Sequence, residues 1–273
     1  MEMIKPRMLA DIRKKLTAAG IADPMFEAQE IVKEYCGGEI RIGNGEPMSE
    51  ISLARINTAV ERRCKGEPLQ YIFGKWEFYG YPFYVGEGVL IPRPETELLV
   101  DLAVKRLNAE STVLDLFSGT GCVAVSIALK TGAKCYAVEL HDAAFSYLER
   151  NIELNKADVK ARKADACSRH FPLVKFDAIF ANPPYITDEE MKSLMREVRY
   201  EPETALCGGA DGLDYYRKFI PVWSERIKDG GFMACEIGET QGEAVSGIMR
   251  EAGLKPDIMK DLAGHDRVVV GEK

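Results

Sequence analysis

Apolar residues recur at helical spacing over residues 4–19, where Ile4, Met8, Leu9, Ile12 and Leu16 share a face and Gly20 follows as a stop. Asp23-Pro24 predicts the start of a second helix by the N-cap and first-turn rule. It carries Met25, Ala28, Ile31, Val32 and Tyr35, and Gly37-Gly38 closes it. After a loop with Gly43, Gly45 and Pro47, Ser49 caps a third helix running to about Cys64. Residues 1–70 therefore read as a small helical domain. Its basic positions Arg55, Arg62, Arg63 and Lys65 form either a solvated face or a surface for an acidic partner.

Over residues 71–92 the pattern changes. Tyr71, Phe73, Trp76, Phe78, Tyr79, Tyr81, Phe83 and Tyr84 alternate with Gly74, Gly80 and Gly86, which predicts a β-hairpin turning near Gly80. Its aromatics either pack between domains or rim a substrate site. Residues 90–97 then lead into a helix with Leu98, Leu99, Leu102, Ala103 and Leu107, where Glu95 and Glu97 suit the helix dipole. From residue 111 strands and helices alternate as in a doubly wound, mainly parallel α/β sheet. Strands are expected at 112–117, 135–139, 159–164, 176–181, 231–236, 254–259 and 266–270, and the short last connection makes the closing pair antiparallel.

Composition narrows the class. The chain has 273 residues and is 46% hydrophobic, enough for a sizeable core. Its 36 basic and 43 acidic residues give a net charge of −7, which argues against non-specific coating of nucleic acid and favours a protein or small-molecule partner. Seven cysteines (Cys36, Cys64, Cys122, Cys135, Cys167, Cys207 and Cys235) are scattered without a C-x-x-C pair and read as reduced core residues. His141, His170 and His265 have no neighbours at metal spacing, so no metal site is expected. Without an apolar signal core or a span-length segment, the expectation is a cytoplasmic protein with no membrane contact.

Two stretches carry candidate chemistry. The strand at 176–181 ends in Asn182-Pro183-Pro184-Tyr185, at the carboxyl edge where open α/β sheets bind ligands. The prolines hold the Asn182 side chain and the Pro183 carbonyl in a nearly set relation, and this pair can accept both hydrogens of one planar NH2 group. Such a group is a poor nucleophile until it is aimed and its developing charge is stabilised. The plainer reading is a turn after a strand. Earlier, Gly119, Gly121 and Ala124 fit G-x-G-x-x-G/A spacing, and Glu139 follows Gly119 by 20 positions, as a ribose-binding acid would. These features indicate a nucleoside-bearing cofactor, either a dinucleotide or S-adenosylmethionine, whose amino group Asp115 could receive. Asp165 is either an adenine partner or a loop acid.

Taken together, several stretches resemble one family. They are 68–74 (Pro-Leu-Gln-Tyr-Ile-Phe-Gly), 91–97 (Ile-Pro-Arg-Pro-Glu-Thr-Glu), Val113-Leu114-Asp115-Leu116, Asn182-Pro183-Pro184-Tyr185, 201–206 (Glu-Pro-Glu-Thr-Ala-Leu), 208–213 (Gly-Gly-Ala-Asp-Gly-Leu) and 261–267 (Asp-Leu-Ala-Gly-His-Asp-Arg). The chain resembles HemK/PrmC-type protein-(glutamine-N5) methyltransferases over nearly its whole length. The resemblance implies a seven-stranded, Rossmann-like S-adenosylmethionine-dependent methyltransferase domain at 93–273. The helical domain at 1–70 would help dock the substrate, with the hairpin at 71–92 joining the two. The implied reaction moves a methyl group from S-adenosylmethionine, leaving S-adenosylhomocysteine, to the glutamine amide of the Gly-Gly-Gln motif of class I peptide chain release factors.

Carried over residue by residue, Gly119 and Gly121 border the methionine part of the cofactor, beside Asp115, Phe117 and Thr120. Glu139 binds its ribose. Asn182 and the Pro183 carbonyl orient the amide, with Pro184 and Tyr185 completing the slot. Arg93 and Glu97 support the pocket. The family usually has Asp-Leu-Gly-Thr-Gly-Ser-Gly, whereas Phe117-Ser118 stand here in place of the first Gly-Thr, so altered cofactor affinity is expected before lost activity. An adenine-N6 methyltransferase would share Asn-Pro-Pro-Tyr, but direct nucleic-acid binding is not expected from this charge and this small helical unit.

Overall fold

The computed structural model of the chain describes residues 6–37, 48–168 and 174–273. Ile4, Gly38, Gly43, Gly45, Pro47 and His170 lie outside them. The chain divides into two compact units, Met1–Gly74 with Met195–Tyr200, and Lys75–Leu194 with Glu201–Lys273.

The first unit contains α1 (Pro6–Ala18), α2 (Pro24–Tyr35), α3 (Glu50–Cys64) and α4 (Leu69–Phe73). Asp23 and Ser49 cap α2 and α3 through their side chains. Leu16, Ala28, Ile31, Val32 and Ile56 are fully buried in its core. Two expectations change here. Tyr71–Phe73 belong to α4 rather than to the hairpin, because Pro68 opens a helical turn and Gly74, at φ +74, ends it in a left-handed cap. Arg63 is no solvated cation: it is buried and bonded to Glu27 and Glu197, while Arg62 pairs with Glu67.

The second unit opens with the hairpin of β1 (Lys75–Phe78) and β2 (Tyr81–Tyr84). Tyr79 (φ +53) and Gly80 (φ +78) turn it, both left-handed, as a two-residue hairpin turn of type I′ requires. Phe78 and Phe83 are buried in this unit's core, so these two aromatics are packing groups and not a rim. The remaining elements are α5 (Glu97–Arg106), β3 (Thr112–Leu116), α6 (Cys122–Thr131), β4 (Lys134–Glu139), α7 (Asp142–Asn155), β5 (Val159–Lys163), β6 (Phe176–Ala181), α8 (Asp188–Met191), α9 (Asp214–Ser224), β7 (Ile227–Glu236), α10 (Gly242–Glu251), β8 (Lys255–Lys260) and β9 (Asp266–Glu272).

The seven-stranded sheet has the order β5-β4-β3-β6-β7-β9-β8. Its first five strands are parallel, and β9 runs antiparallel to both β7 and β8, as the short last connection requires. Helices cover both faces, which explains why β3 and β6 read as nearly continuous apolar runs. The described residues show seven free cysteines. Cys122, Cys135 and Cys235 are buried as expected, and the other four are half-buried. Among the described residues no helix is long and apolar enough to cross a membrane.

Candidate active site

Strand register assembles the site. Leu116 pairs with Val138 on one side and Ala181 on the other, and Ala181 pairs with Cys235. The next residue of each strand therefore emerges in one row along the carboxyl edge: Glu139, Phe117, Asn182 and Glu236. This edge is where a doubly wound sheet leaves room for a ligand.

A cavity opens along the row, enclosing about 960 Å³ with the solvent at its mouth included. Of the residues expected at the site, Arg93, Asp115, Phe117, Gly119, Thr120, Glu139, Asp165, Asn182 and Pro184 line it. Gly121, Pro183, Tyr185 and Glu97 do not. Gly121, at φ +79, caps α6, and a Cβ there would meet Leu148 Cδ1 at 2.4 Å. Pro183 is buried, and Tyr185 is half-buried with its ring packed against the core, where desolvation raises its phenol above the usual value. Glu97 is a correction. Its carboxylate accepts the Tyr79 N–H at 2.8 Å and so braces the strained hairpin turn instead of the pocket.

The turn after β3 is locked to β4. Ser118 donates its N–H to the Val138 carbonyl at 3.0 Å, and its Oγ accepts from Val138 N and donates to the Asp115 carbonyl. Phe117 precedes it at φ +57, a left-handed conformation that favours glycine. Its ring lies edge-on to Tyr215 and Phe219, with centroids 5.5 and 5.3 Å away. Phe117 thus puts an apolar ring on the cavity wall, packed against two residues of α9.

The acids differ in how far the protein satisfies them. Glu139 Oε2 accepts from Gly119 N, and Oε1 from Leu140 N and His141 N, at 2.8–2.9 Å. Three of a carboxylate's roughly four lone-pair directions are thereby taken. Asp165 Oδ1 accepts from Cys167 N at 2.8 Å, so this residue is both a loop brace and a cavity acid. Asp115 is buried, and its Oδ2 has no partner among the described residues. Burial pushes its carboxyl up to about 7, and the nearby Glu139 charge adds to the rise. With Asp115, Glu139 and Asp165 against Arg93, the cavity favours a cationic, hydroxyl-bearing ligand and disfavours a pyrophosphate.

Part of the cavity wall is built from residues 201–205, a stretch that the sequence singled out without assigning roles. Glu201 is buried, pairs with Arg93 and accepts the Ile91 N–H at 2.9 Å, which straps residues 201–205 to residues 91–96. Pro202, Thr204 and Ala205 line the cavity. Behind Asn182-Pro183-Pro184-Tyr185, Ile186 and Gly208 donate backbone bonds to Leu206 and Ile186. Gln241 Nε2 donates to the Tyr185 carbonyl at 2.9 Å. A Cβ on Gly208 would lie 2.8 Å from the Pro184 oxygen and from Tyr185 Cα, so the glycine allows the close approach that backs the loop.

The Asn182 carboxamide donates from Nδ2 to the buried Thr96 hydroxyl at 3.3 Å. No described residue donates to its Oδ1. Sequence reasoning missed Thr96, Glu201, Glu236 and Gln241. The first two lie inside quoted motifs, but only the strand register brings Glu236 beside Asn182.

Residues 7–74 match the family described as PrmC N-terminal domain, and residues 101–202 match the TRM5/TYW2 methyltransferase domain. The chain is 37% identical over 267 residues to a release factor glutamine methyltransferase of Geobacter sulfurreducens, covering 95% of this chain and 93% of that one. A relative of the same name from Moorella thermoacetica is 35% identical and covers 95% of each chain. A methyltransferase structure from Pyrococcus furiosus shares the fold, with a TM-score of 0.54, 18% identity, and coverage of 82% of this chain and 98% of that one.

Proposed function

The chain belongs to the release factor glutamine methyltransferase family, and from this premise we propose that it methylates the side-chain amide nitrogen of the glutamine in the Gly-Gly-Gln motif of class I peptide chain release factors. S-adenosylmethionine supplies the methyl, carried on a sulfonium that is already electrophilic. With this reading go a cytoplasmic site of action and a protein substrate.

The cavity's donor set fits that cofactor. Asp115 Oδ2, buried and without a partner among the described residues, suits its ammonium group. Glu139 has a lone-pair direction left for one ribose hydroxyl, and a second hydroxyl requires Gly119 N–H to let go. Asp165 keeps Oδ2 for the adenine amine. The excess of acids complements a cation, and Thr120 and Phe117 line the methionine end.

The observation that carries the reading is Asn182 on the cavity wall, its Nδ2 engaged and its Oδ1 left to accept. Oδ1 and the Pro183 carbonyl take the two hydrogens of the glutamine NH2, which aims the nitrogen and stabilises the positive charge it gains. The methylated nitrogen is a strong acid, so its proton passes to water and no dedicated base is required. Pro184 and the fixed Tyr185 backbone keep the slot narrow, and Arg93 with Glu201 holds another part of the cavity wall.

The test is transfer of labelled methyl to a purified, unmethylated release factor and to the same factor with its motif glutamine changed to alanine. The expected result is label on the first alone. Label on neither, with cofactor binding demonstrated, would sink the proposal and direct attention to adenine-containing nucleic acid.

A further inference from the structure

The stretch 261–267 (Asp-Leu-Ala-Gly-His-Asp-Arg) lines no part of the cavity, yet it stands on the same edge of the sheet. Because β9 runs antiparallel to β7, it starts where β7 ends. Val268 lies opposite Glu236, which the pairing of Ala181 with Cys235 sets beside Asn182. Neighbouring strands are about 4.8 Å apart, so the loop joining β8 to β9 begins on the order of 10–15 Å from Asn182.

Asp261 organises that loop. Its Oδ1 accepts from Ala263 N and His265 N, each at 3.0 Å, its Oδ2 meets the Arg267 guanidinium at 3.2 Å, and its own N–H donates to the His265 carbonyl at 2.8 Å. Arg267 also donates to the Ile237 carbonyl at 3.4 Å, and Ile237 N–H returns a bond to the Arg267 carbonyl at 2.9 Å. One residue further, Gly238 N–H donates to Gln241 Oε1, and Gln241 Nε2 donates to the Tyr185 carbonyl, both at 2.9 Å. The loop and the Asn182-Pro183-Pro184-Tyr185 slot therefore share one hydrogen-bonded frame.

Leu262 stands out on this frame. It is 106% exposed, against 68% for Ile51 and Met195, the next most exposed large hydrophobic residues among those described. An exposed leucine alone signals nothing. This one is kept in water at a fixed place by a fully bonded loop, on the edge that a substrate must cover. Glutamine arrives there as part of a protein, and a specific protein contact covers about 800 Å² on each partner, a patch roughly 30 Å across. Centred on the slot, such a patch reaches the loop. We propose that Leu262 is a docking contact that packs against an apolar site on the release factor surface flanking its Gly-Gly-Gln motif. This inference rests on the proposed reaction and deepens it, since it assigns the edge beside the slot to recognition of the folded partner.

The experiment measures methyl transfer by the full chain over a range of concentrations of an unmethylated release factor. The variants are Leu262→Ala, Leu262→Asp and Leu262→Met, with Val104→Asp as a control. Val104 is an exposed apolar residue near the end of α5, whose Arg106 pairs with Glu272 at the opposite edge of the sheet. Leu262→Ala is expected to raise KM for the release factor about 3- to 10-fold and Leu262→Asp about tenfold or more. Leu262→Met and Val104→Asp should stay within about twofold of the parent, as should kcat and cofactor Kd in all four. Leu262 is wholly exposed, so these changes leave the fold intact.

A parental KM in Leu262→Asp would overturn the inference. So would a fall in kcat at unchanged KM, which would make the loop a support for the chemistry. A parental KM together with a sedimentation coefficient that differs between the free parent and Leu262→Asp would assign Leu262 to self-association and also overturn it. A parent that transfers no methyl overturns the underlying reaction as well, whereas an active parent with an unimpaired Leu262→Asp overturns the inference alone.

Discussion

Gly119 gives its backbone N–H to Glu139 Oε2 at 2.9 Å. The glycine turn after β3 and the acid that ends β4 are therefore one assembly, set before a ligand arrives. Glu139→Ala removes the acceptor from three backbone N–H groups and from the proposed ribose site. Cofactor Kd should rise about 10- to 100-fold, and the fold should lose about 1–3 kcal/mol. Calorimetric titration and chemical unfolding measure the two effects, and an unchanged Kd would remove the ribose role.

Gly208 is closed in by backbone on three sides: the Pro184 oxygen, Tyr185 Cα and the Gly212 oxygen, each 2.8 Å from where an alanine methyl would sit. Gly208→Ala must push the Asn182-Pro183-Pro184-Tyr185 loop outward. We expect a loss of about 1–3 kcal/mol in stability. At saturating cofactor, kcat should fall further than cofactor affinity does. Parental kcat in this variant would mean that the loop tolerates displacement and that its backing is not what sets the slot.

Phe117 poses opposing effects at one position. Its left-handed backbone costs about 1–2 kcal/mol that glycine would recover. Its ring packs on Tyr215 and Phe219 but is only half-buried at the cavity wall, so deleting it should cost less than a core phenylalanine does, about 2–3 kcal/mol. Phe117→Gly should therefore be less stable on balance, with a shifted cofactor Kd and kcat retained at saturation. A denaturant midpoint at or above the parent's would show that strain outweighs packing.

The two buried carboxyls Asp115 and Glu236 predict an unusual pH response. Burial pushes each up to about 7 from 3.8 and 4.5. The folded chain holds these protons where the unfolded chain has released them. Their contribution is fully present below about pH 4 and is lost as pH rises toward 7. Unfolding of the ligand-free enzyme should thus become easier across that window, and Asp115→Asn should flatten the slope. An identical slope in Asp115→Asn would rule out Asp115 as a source.

Periodicity and loop chemistry make the sheet and its carboxyl edge legible. Buried strands such as β6 are continuous apolar runs, and Asn182-Pro183 marks where one stops. Glu97 is misread from sequence because a first-turn acid looks the same whether it faces a pocket or, as here, a hairpin N–H. Arg63 reads as solvated because nothing local signals that Glu27 and Glu197 will enclose it. Tyr71 and Phe73 carry strand-like composition, yet Pro68 and Gly74 bracket a helical turn. Glu236 acquires its place beside Asn182 only through pairing of β6 with β7, a tertiary fact that no spacing rule contains.

The insertion of β9 between β7 and β8 bears on how the enzyme is made. A nascent chain that has emerged only through β8 has no partner for that strand, since β8 pairs with β9 alone. β7, which ends in Glu236, likewise has one open edge until Val268 and Val269 arrive opposite Glu236 and Cys235. Such non-local pairing comes late and leaves strand edges exposed meanwhile. Maturation of the active site is thereby tied to synthesis of the whole sheet, and a chain stopped after β8 would be a target for quality control before it could act as a weak enzyme.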